Sequence, residues 1–180
     1  TQSEDTPYSE AGATAQDDVE GQVEVNIDGS VDDSTPGIYT LTYVATDSSG
    51  NAASITRTVN VQDITAPVIT LNGSSEMDLP FNSIYEDPGA SALDNVDGTI
   101  TVSTVGVVDT SVLGSYQIIY TAQDAAGNTA TQNRTVNVID VTAPVITLNG
   151  NNPHTQNEDT PYSEAGATAQ DDVEGQVEVN

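Results

Sequence analysis

The chain has 180 residues, with 28 Asp+Glu against 2 Lys+Arg, a single His, no Cys, no Trp and a formal net charge of -26 at pH 7. Two arginines cannot build the cationic face that nucleic-acid binding needs, and the missing cysteines exclude a disulfide framework, a thiolate nucleophile and Cys-ligated zinc. The lack of lysine excludes a Schiff base and a P-loop, and no apolar run approaches the ~18 residues of a membrane span. Strong acidity can signal disorder. Here 36% of residues are hydrophobic, and they arrive as alternating Val, Ile, Tyr and Thr, the signature of strands.

In chain order, an acidic stretch with Asp17, Asp18 and Glu20 comes first. A strand from Gly37 follows, placing Tyr39, Leu41, Tyr43 and Ala45 on one face, and the chain then passes Asp47 and Asn51 to RTVNV at Arg57–Val61. PVITLNG then opens a new series with a first strand, and GASAL from Gly89 gives a short second one. Asp94–Gly98 is a turn, followed by TITVSTVGVV from Thr99. GSYQIIYTAQD puts Tyr116, Ile118, Tyr120 and Ala122 on one face, and an AAGN turn leads into TATQNRTVNV. Period-2 patterning, turn signals every 8–12 residues and no helical run indicate antiparallel sandwiches.

The series repeats. TAPVITLNG occurs at Thr65–Gly73 and Thr142–Gly150, 77 residues apart, and RTVNV recurs at Arg134–Val138 with the same offset. All seven tyrosines occupy repeated positions. Residues 1–26 and 155–180 match at 25 of 26 positions, whereas the copy between them is diverged, so two module types alternate with a period of 154. The fold class is therefore all-β: tandem antiparallel β-sandwich modules of 77 residues, which the resemblance below makes immunoglobulin-like. Residues 1–64 form a module lacking its first strand, 65–141 a complete module, and 142–180 the N-terminal half of a third. The sequence reads as a window on a longer array, with strand exchange between incomplete end modules as the rival reading.

Gly37-x-Tyr39-x-Leu41 and Gly114-x-Tyr116-x-Ile118 resemble the immunoglobulin F-strand pattern with an aliphatic residue in place of the cysteine. The larger pattern is P-V-I-T-L-N-G, then Y-x-D/E-x-G-A-x-A-x-D-x-V-D/E-G, then G-x-Y-x-x-x-Y-x-A-x-D-x-x-G-N-x-A, then R-T-V-x-V. It resembles the bacterial immunoglobulin-like repeats of pesticidal crystal proteins and surface proteins, relatives of the hyalin-type repeat. The resemblance implies an extracellular or cell-surface location and adhesive or structural use, without specifying a ligand.

In an immunoglobulin sandwich the B–C and F–G loops share one end. That arrangement gathers Asp94, Asp97, Asp124 and Asn128, and Asp63 reaches the same place from the exit of the first module. The equivalent sets are Asp17, Asp18, Glu20, Asp47 and Asn51 in module 1, and Asp171, Asp172 and Glu174 facing Asp140 in module 3. Glu86, Asp87 and Asp109 are expected at the opposite end of module 2, so that acids face acids across each joint. Converging carboxylates repel, and a hard divalent cation with oxygen ligands, Ca²⁺, would remove the conflict. Two plainer readings stand beside it: D-G and G-N favour tight turns, and acids keep an exposed fibre soluble.

Arg57 and Arg134 share strand parity with inward valines, so each is expected to pair with a carboxylate of its own module. The linker from Val138 to Pro144 leaves few free residues, and its proline stiffens one of them. Taken together, these features describe a stalk or fibre segment whose partners are neighbouring modules or copies of itself. Two other functions stay open: a carbohydrate- or cell-surface-binding accessory module, which needs exposed aromatics, and a filament subunit joined by strand complementation. Surface or polysaccharide ligands would then be engaged through other domains. Catalysis is not expected, because the paired acids sit in a turn that every module repeats.

Overall fold

The computed structural model describes residues 1–179. Among them are sixteen strands and no helix. Module 1 contributes β1 (Gln2–Ser3), β2 (Ala15–Asp17), β3 (Gly21–Val23), β4 (Val25–Asp28), β5 (Gly37–Thr46) and β6 (Ala52–Gln62). Its main sheet has the order β1-β6-β5-β4, with β2 and β3 as a separate hairpin. β5 and β6 pair without interruption from Gly37↔Val61 to Thr46↔Ala52. Their alternation is therefore in phase, and Leu41, Tyr43, Val59 and Val61 are buried. Each such aliphatic side chain contributes about 1.5–3 kcal/mol when fully removed from water.

Module 2 runs through β7 (Val68–Leu71), β8 (Glu76–Pro80), β9 (Ala90–Asp94), β10 (Gly98–Ile100), β11 (Val102–Val105), β12 (Gly114–Gln123) and β13 (Thr129–Ile139). One sheet has the order β10-β9-β7 and the other β11-β12-β13-β8. Module 3 is represented by β14 (Val145–Leu148), β15 (Ala167–Asp171) and β16 (Gly175–Val177), in the order β14-β15-β16.

By internal contacts the chain forms two compact units. The first joins Thr1–Thr70 with Ala90–Ser103 and Tyr120–Gln132; beyond the module 1 core it buries Ala92, Tyr120 and Ala122. The second joins Leu71–Gly89 with Thr104–Ile119 and Asn133–Asn180, and it buries Ile118, Val136, Val138 and Ala169. The exit of module 1 and the acidic loops of module 2 thus belong to a single unit.

The tyrosine corners form as the F-strand pattern implies. Tyr39 donates its hydroxyl to the Thr35 carbonyl at 2.8 Å, and Tyr116 donates to Val112 at 2.9 Å. Gly29 and Gly106 occupy equivalent positions with φ of 101° and 132°. A Cβ there would lie 2.6 Å from the Thr40 carbonyl oxygen and 2.4 Å from that of Gln117, so only glycine lets the chain pass so close.

Two features depart from the sequence reading. β8 was not expected, and it pairs parallel to β13 from Thr135↔Glu76 to Ile139↔Pro80; β1 does the same with β6. Met77 and Leu79 supply its inward face between exposed acids, and Pro80 is tolerated because the strand lies at a sheet edge. The stretch from Thr99 also divides into β10 and β11, with Gly106–Val108 outside both.

Asp87 requires a further correction, at the level of side chains. It does not join an acidic face at a module end. Instead it pairs with Arg134, whose side chain is 0% exposed, while Arg134 Nε donates to the Ser74 carbonyl at 3.0 Å and Nη2 to that of Asn72 at 2.6 Å. Arg57 pairs with Glu10, which stands 77 residues before Asp87. Each arginine therefore pairs with a carboxylate of its own module, as expected, but only Arg134 is buried; the Arg57 side chain is 39% exposed. Asp109 is likewise a turn residue, accepting from the Ser111 amide and hydroxyl at 3.0 and 2.6 Å.

Candidate metal centre

The acidic loops are built from two local motifs. In the first, an aspartate ends a strand and its Oδ1 accepts two amides of the following turn. Asp94 takes Val96 N at 2.8 Å and Asp97 N at 3.0 Å; Asp17 and Asp171 do the same with Val19 and Glu20, and with Val173 and Glu174. A glycine with positive φ then closes the hairpin, Gly98 opposite Asp94 at φ 73°. Half of the turn-forming explanation is therefore correct: Oδ1 is spent on the turn. Oδ2 is left over.

In the second motif, Asp124 and Asn128 close the loop between β12 and β13. Asn128 donates its backbone N–H to Asp124 Oδ1 at 2.7 Å and its amide to Oδ2 at 2.8 Å. Asp47 and Asn51 repeat this at 2.7 and 2.6 Å. Burial, the largest single influence on Asp124, raises its pKa, but the Asn128 side chain and several amides outweigh it and hold the group below its ordinary value.

At the first joint these motifs meet the end of β6. One carboxylate oxygen from each of Asp63, Asp94 and Asp124 lies within 4.8 Å of the others. Asp94 is 4% exposed and Asp124 6%. Burial pushes Asp63 above the usual carboxylate range; the Thr65 amide opposes this, while the charges of Asp94, Asp124 and Glu4 add to it. Asp94 Oδ2 is buried and has no hydrogen-bond partner.

Of the other residues expected at this joint, Asp97 is not among these three carboxylates. Asp97 Oδ2 accepts from Ala125 N at 2.7 Å, tying the two loops together. Asn128 is occupied with Asp124, and its amide also reaches the Asp63 carbonyl at 3.4 Å.

The linker is held by a residue that the sequence reading passed over. Glu4 is 4% exposed; its Oε2 accepts from Ile64 N at 2.9 Å and its Oε1 from the Thr65 hydroxyl. That hydroxyl, against the opposing effect of burial, lowers the Glu4 pKa, and the Ile64 amide assists. A signal existed: the position is Glu4, then Phe81, then Glu158, following the 154-residue period instead of the 77-residue one.

A second trio forms from Asp140, Asp171 and Asp172. Here only Asp171 is buried, and the Thr142 hydroxyl donates to both Asp140 and Asp172. Glu174 offers its backbone N–H to Asp171 and is not part of the trio. In module 1, Asp17, Asp47 and Asn51 keep the turn geometry, Glu20 accepts from Ser48 N at 3.0 Å, and Asp18 is exposed. Among the described residues no further acidic trio occurs.

Residues 2–61 and 69–138 match the family model described as "Bacterial surface protein, Ig-like domain". The chain is 36% identical over 121 residues to hyalin of Lytechinus variegatus, covering 61% of this chain and 22% of that protein. It is 32% identical over 124 residues to an uncharacterised 81.3 kDa protein of Acholeplasma phage L2, covering 64% and 16% respectively. The chain thus spans less than a quarter of the length of these relatives. Among solved structures, lipoprotein BT2262 of Bacteroides thetaiotaomicron aligns at 32% identity with a TM-score of 0.39, over 43% of this chain and 39% of that one. No helix among the described residues is long and apolar enough to cross a membrane. With two successive matches covering both repeats, the chain belongs to the family of Ig-like domains of bacterial surface proteins.

Proposed function

We propose that this segment is a structural spacer, a stretch of stalk or fibre in a surface-exposed protein, whose joints are stiffened when Ca²⁺ binds their carboxylates. The observation that carries the reading is the first linker. Only five residues separate β6 from β7. Asp63 is tethered by Asn128 of the next module, Ile64 and Thr65 by Glu4 of their own, and Pro67 has a fixed φ. A linker bonded to both modules transmits force and orientation from one to the next. A tether built for free movement would leave those groups to water.

The tyrosines favour a structural role over a binding platform. Tyr8 and Tyr43 donate to Glu10, Tyr39 and Tyr116 form the corners, Tyr85 donates to Asp87 and Tyr162 to Glu164, while Tyr120 is fully buried. The hydroxyls of the first six are engaged within their own modules, and repetition of such units gives reach without new chemistry.

Small-angle X-ray scattering on chains of increasing module number, with Ca²⁺ and with chelator, tests the reading. A largest dimension that grows in proportion to module number in Ca²⁺ supports a spacer. Growth no steeper than that of a compact globule would overturn it.

A further inference from the structure

The Asp63–Asp94–Asp124 trio has a property that an acidic surface patch lacks. Asp94 is 4% exposed, its Oδ1 is committed to Val96 N and Asp97 N, and its Oδ2 is buried with no protein partner. A buried carboxylate oxygen without a donor is costly, and two neighbouring carboxylates raise the cost. Arginine does not relieve it: Arg57 and Arg134 pair with Glu10 and Asp87. One oxygen from each of the three carboxylates lies within 4.8 Å of the others, close enough for a single ion to touch all three.

We infer that Asp63, Asp94 and Asp124 form one Ca²⁺ site, with Asp94 Oδ2 as its innermost ligand and with Asp97, Asn128 and Glu4 as positioning residues outside the coordination sphere. An all-oxygen donor set with no imidazole or thiolate suits a hard cation. The three ligands come from different places: the exit of β6, the end of β9 and the end of β12. An ion shared among them joins one module to the next. Asn128 braces Asp124 through both of its oxygens, Asp97 ties its turn to Ala125, and Glu4 fixes the backbone immediately after Asp63. These bonds hold the loops in place before an ion arrives, which reduces the ordering cost of binding.

The site deepens the stalk reading but does not depend on it, since an ion can bind a joint that plays no mechanical part. The test is Ca²⁺ titration of the 180-residue chain followed by amide NMR, because the Val96 and Asp97 amides report on Asp94 alone and ignore the second trio. Wild type is expected to show saturable shifts at both amides. Asp94→Asn keeps the turn acceptor and replaces Oδ2 by a donor. It should weaken Ca²⁺ binding at these amides by about tenfold or more, as affinity follows ligand charge, and should melt higher than wild type in chelator. Asp63→Asn, at a half-exposed position, should weaken binding without disturbing the turn. Asp18→Asn, at an exposed position outside the trio, should leave the affinity unchanged. Absence of saturable shifts in wild type, or unaltered affinity in both Asp94→Asn and Asp63→Asn, would overturn the site. In either case the scattering result for the spacer would stand separately.

Discussion

The Asp63–Asp94–Asp124 and Asp140–Asp171–Asp172 groups share Asp63/Asp140 and Asp94/Asp171 at equivalent positions, and the same turn presents Asp94 and Asp171. The first trio has two buried members and an orphaned oxygen, and Glu4 engages the neighbouring Thr65 hydroxyl. In the second, only Asp171 is buried, and the equivalent hydroxyl, that of Thr142, turns onto the aspartates themselves. The third carboxylate also differs in kind. Asp124 comes from a second loop and is braced by Asn128, whereas Asp172 is simply the neighbour of Asp171. A repeated sequence therefore does not guarantee a repeated environment. A buried loop from elsewhere in the fold is what encloses the first acidic turn.

The two arginines carry the same contrast. Arg134 is wholly buried beneath the segment after β7, whose carbonyls at Asn72 and Ser74 it binds, whereas the Arg57 side chain is 39% exposed. Arg134→Met should have the largest effect of any change considered. Stranding a buried ion-pair partner costs about 3–5 kcal/mol, measurable by urea unfolding of the module 2 tyrosine and amide signals. Arg57→Met should cost clearly less than Arg134→Met, because solvent replaces much of what is lost. Equal losses at the two sites would break the comparison.

A smaller effect concerns acid. Glu10 is pulled down to about 2 by the hydroxyls of Tyr43 and Tyr8, aided by the Gly12 amide and Arg57, while burial and Glu10 push Tyr43 up to about 12. A carboxylate with a depressed folded pKa stabilises the fold above its unfolded value of 4.5, and this contribution is lost as pH falls toward 2. Module 1 should therefore lose stability across that window, as measured by melting temperature against pH. Glu10→Gln should flatten that dependence, and an unchanged slope would show that the cluster contributes nothing.

Much of this organisation was legible in the residues. The 77-residue period, the inward Tyr-x-Leu/Ile faces, the tyrosine corners and the convergence of Asp94, Asp124 and Asp63 follow from local pattern and strand order. The remainder was hidden because it depends on pairing at a distance. β8 is five residues long, with acids on its outer face and a proline at its end, so only its parallel partner β13 makes it a strand. Asp87 resembles any loop acid until β13 places Arg134 beside it. Glu4 shows no local motif, since its role depends on a linker sixty residues away. Burial also divides the acids. Asp94 and Asp18 look alike in sequence, yet the first is enclosed and the second faces solvent.

The central claim is that the carboxylate trio at the first joint, two of its members buried, holds Ca²⁺ and that the ion strengthens that joint. Calorimetric melting of the full chain in saturating Ca²⁺ and in chelator, for wild type, Asp94→Asn and Asp140→Asn, tests it directly. Wild type should melt higher with Ca²⁺, with a stabilisation of about 2.7 kcal/mol when the ion is at a hundred times its Kd. Asp94→Asn should lose most of that difference and Asp140→Asn should retain most of it. A wild-type melt that is the same in Ca²⁺ and chelator, or a difference that survives Asp94→Asn intact, would contradict the account.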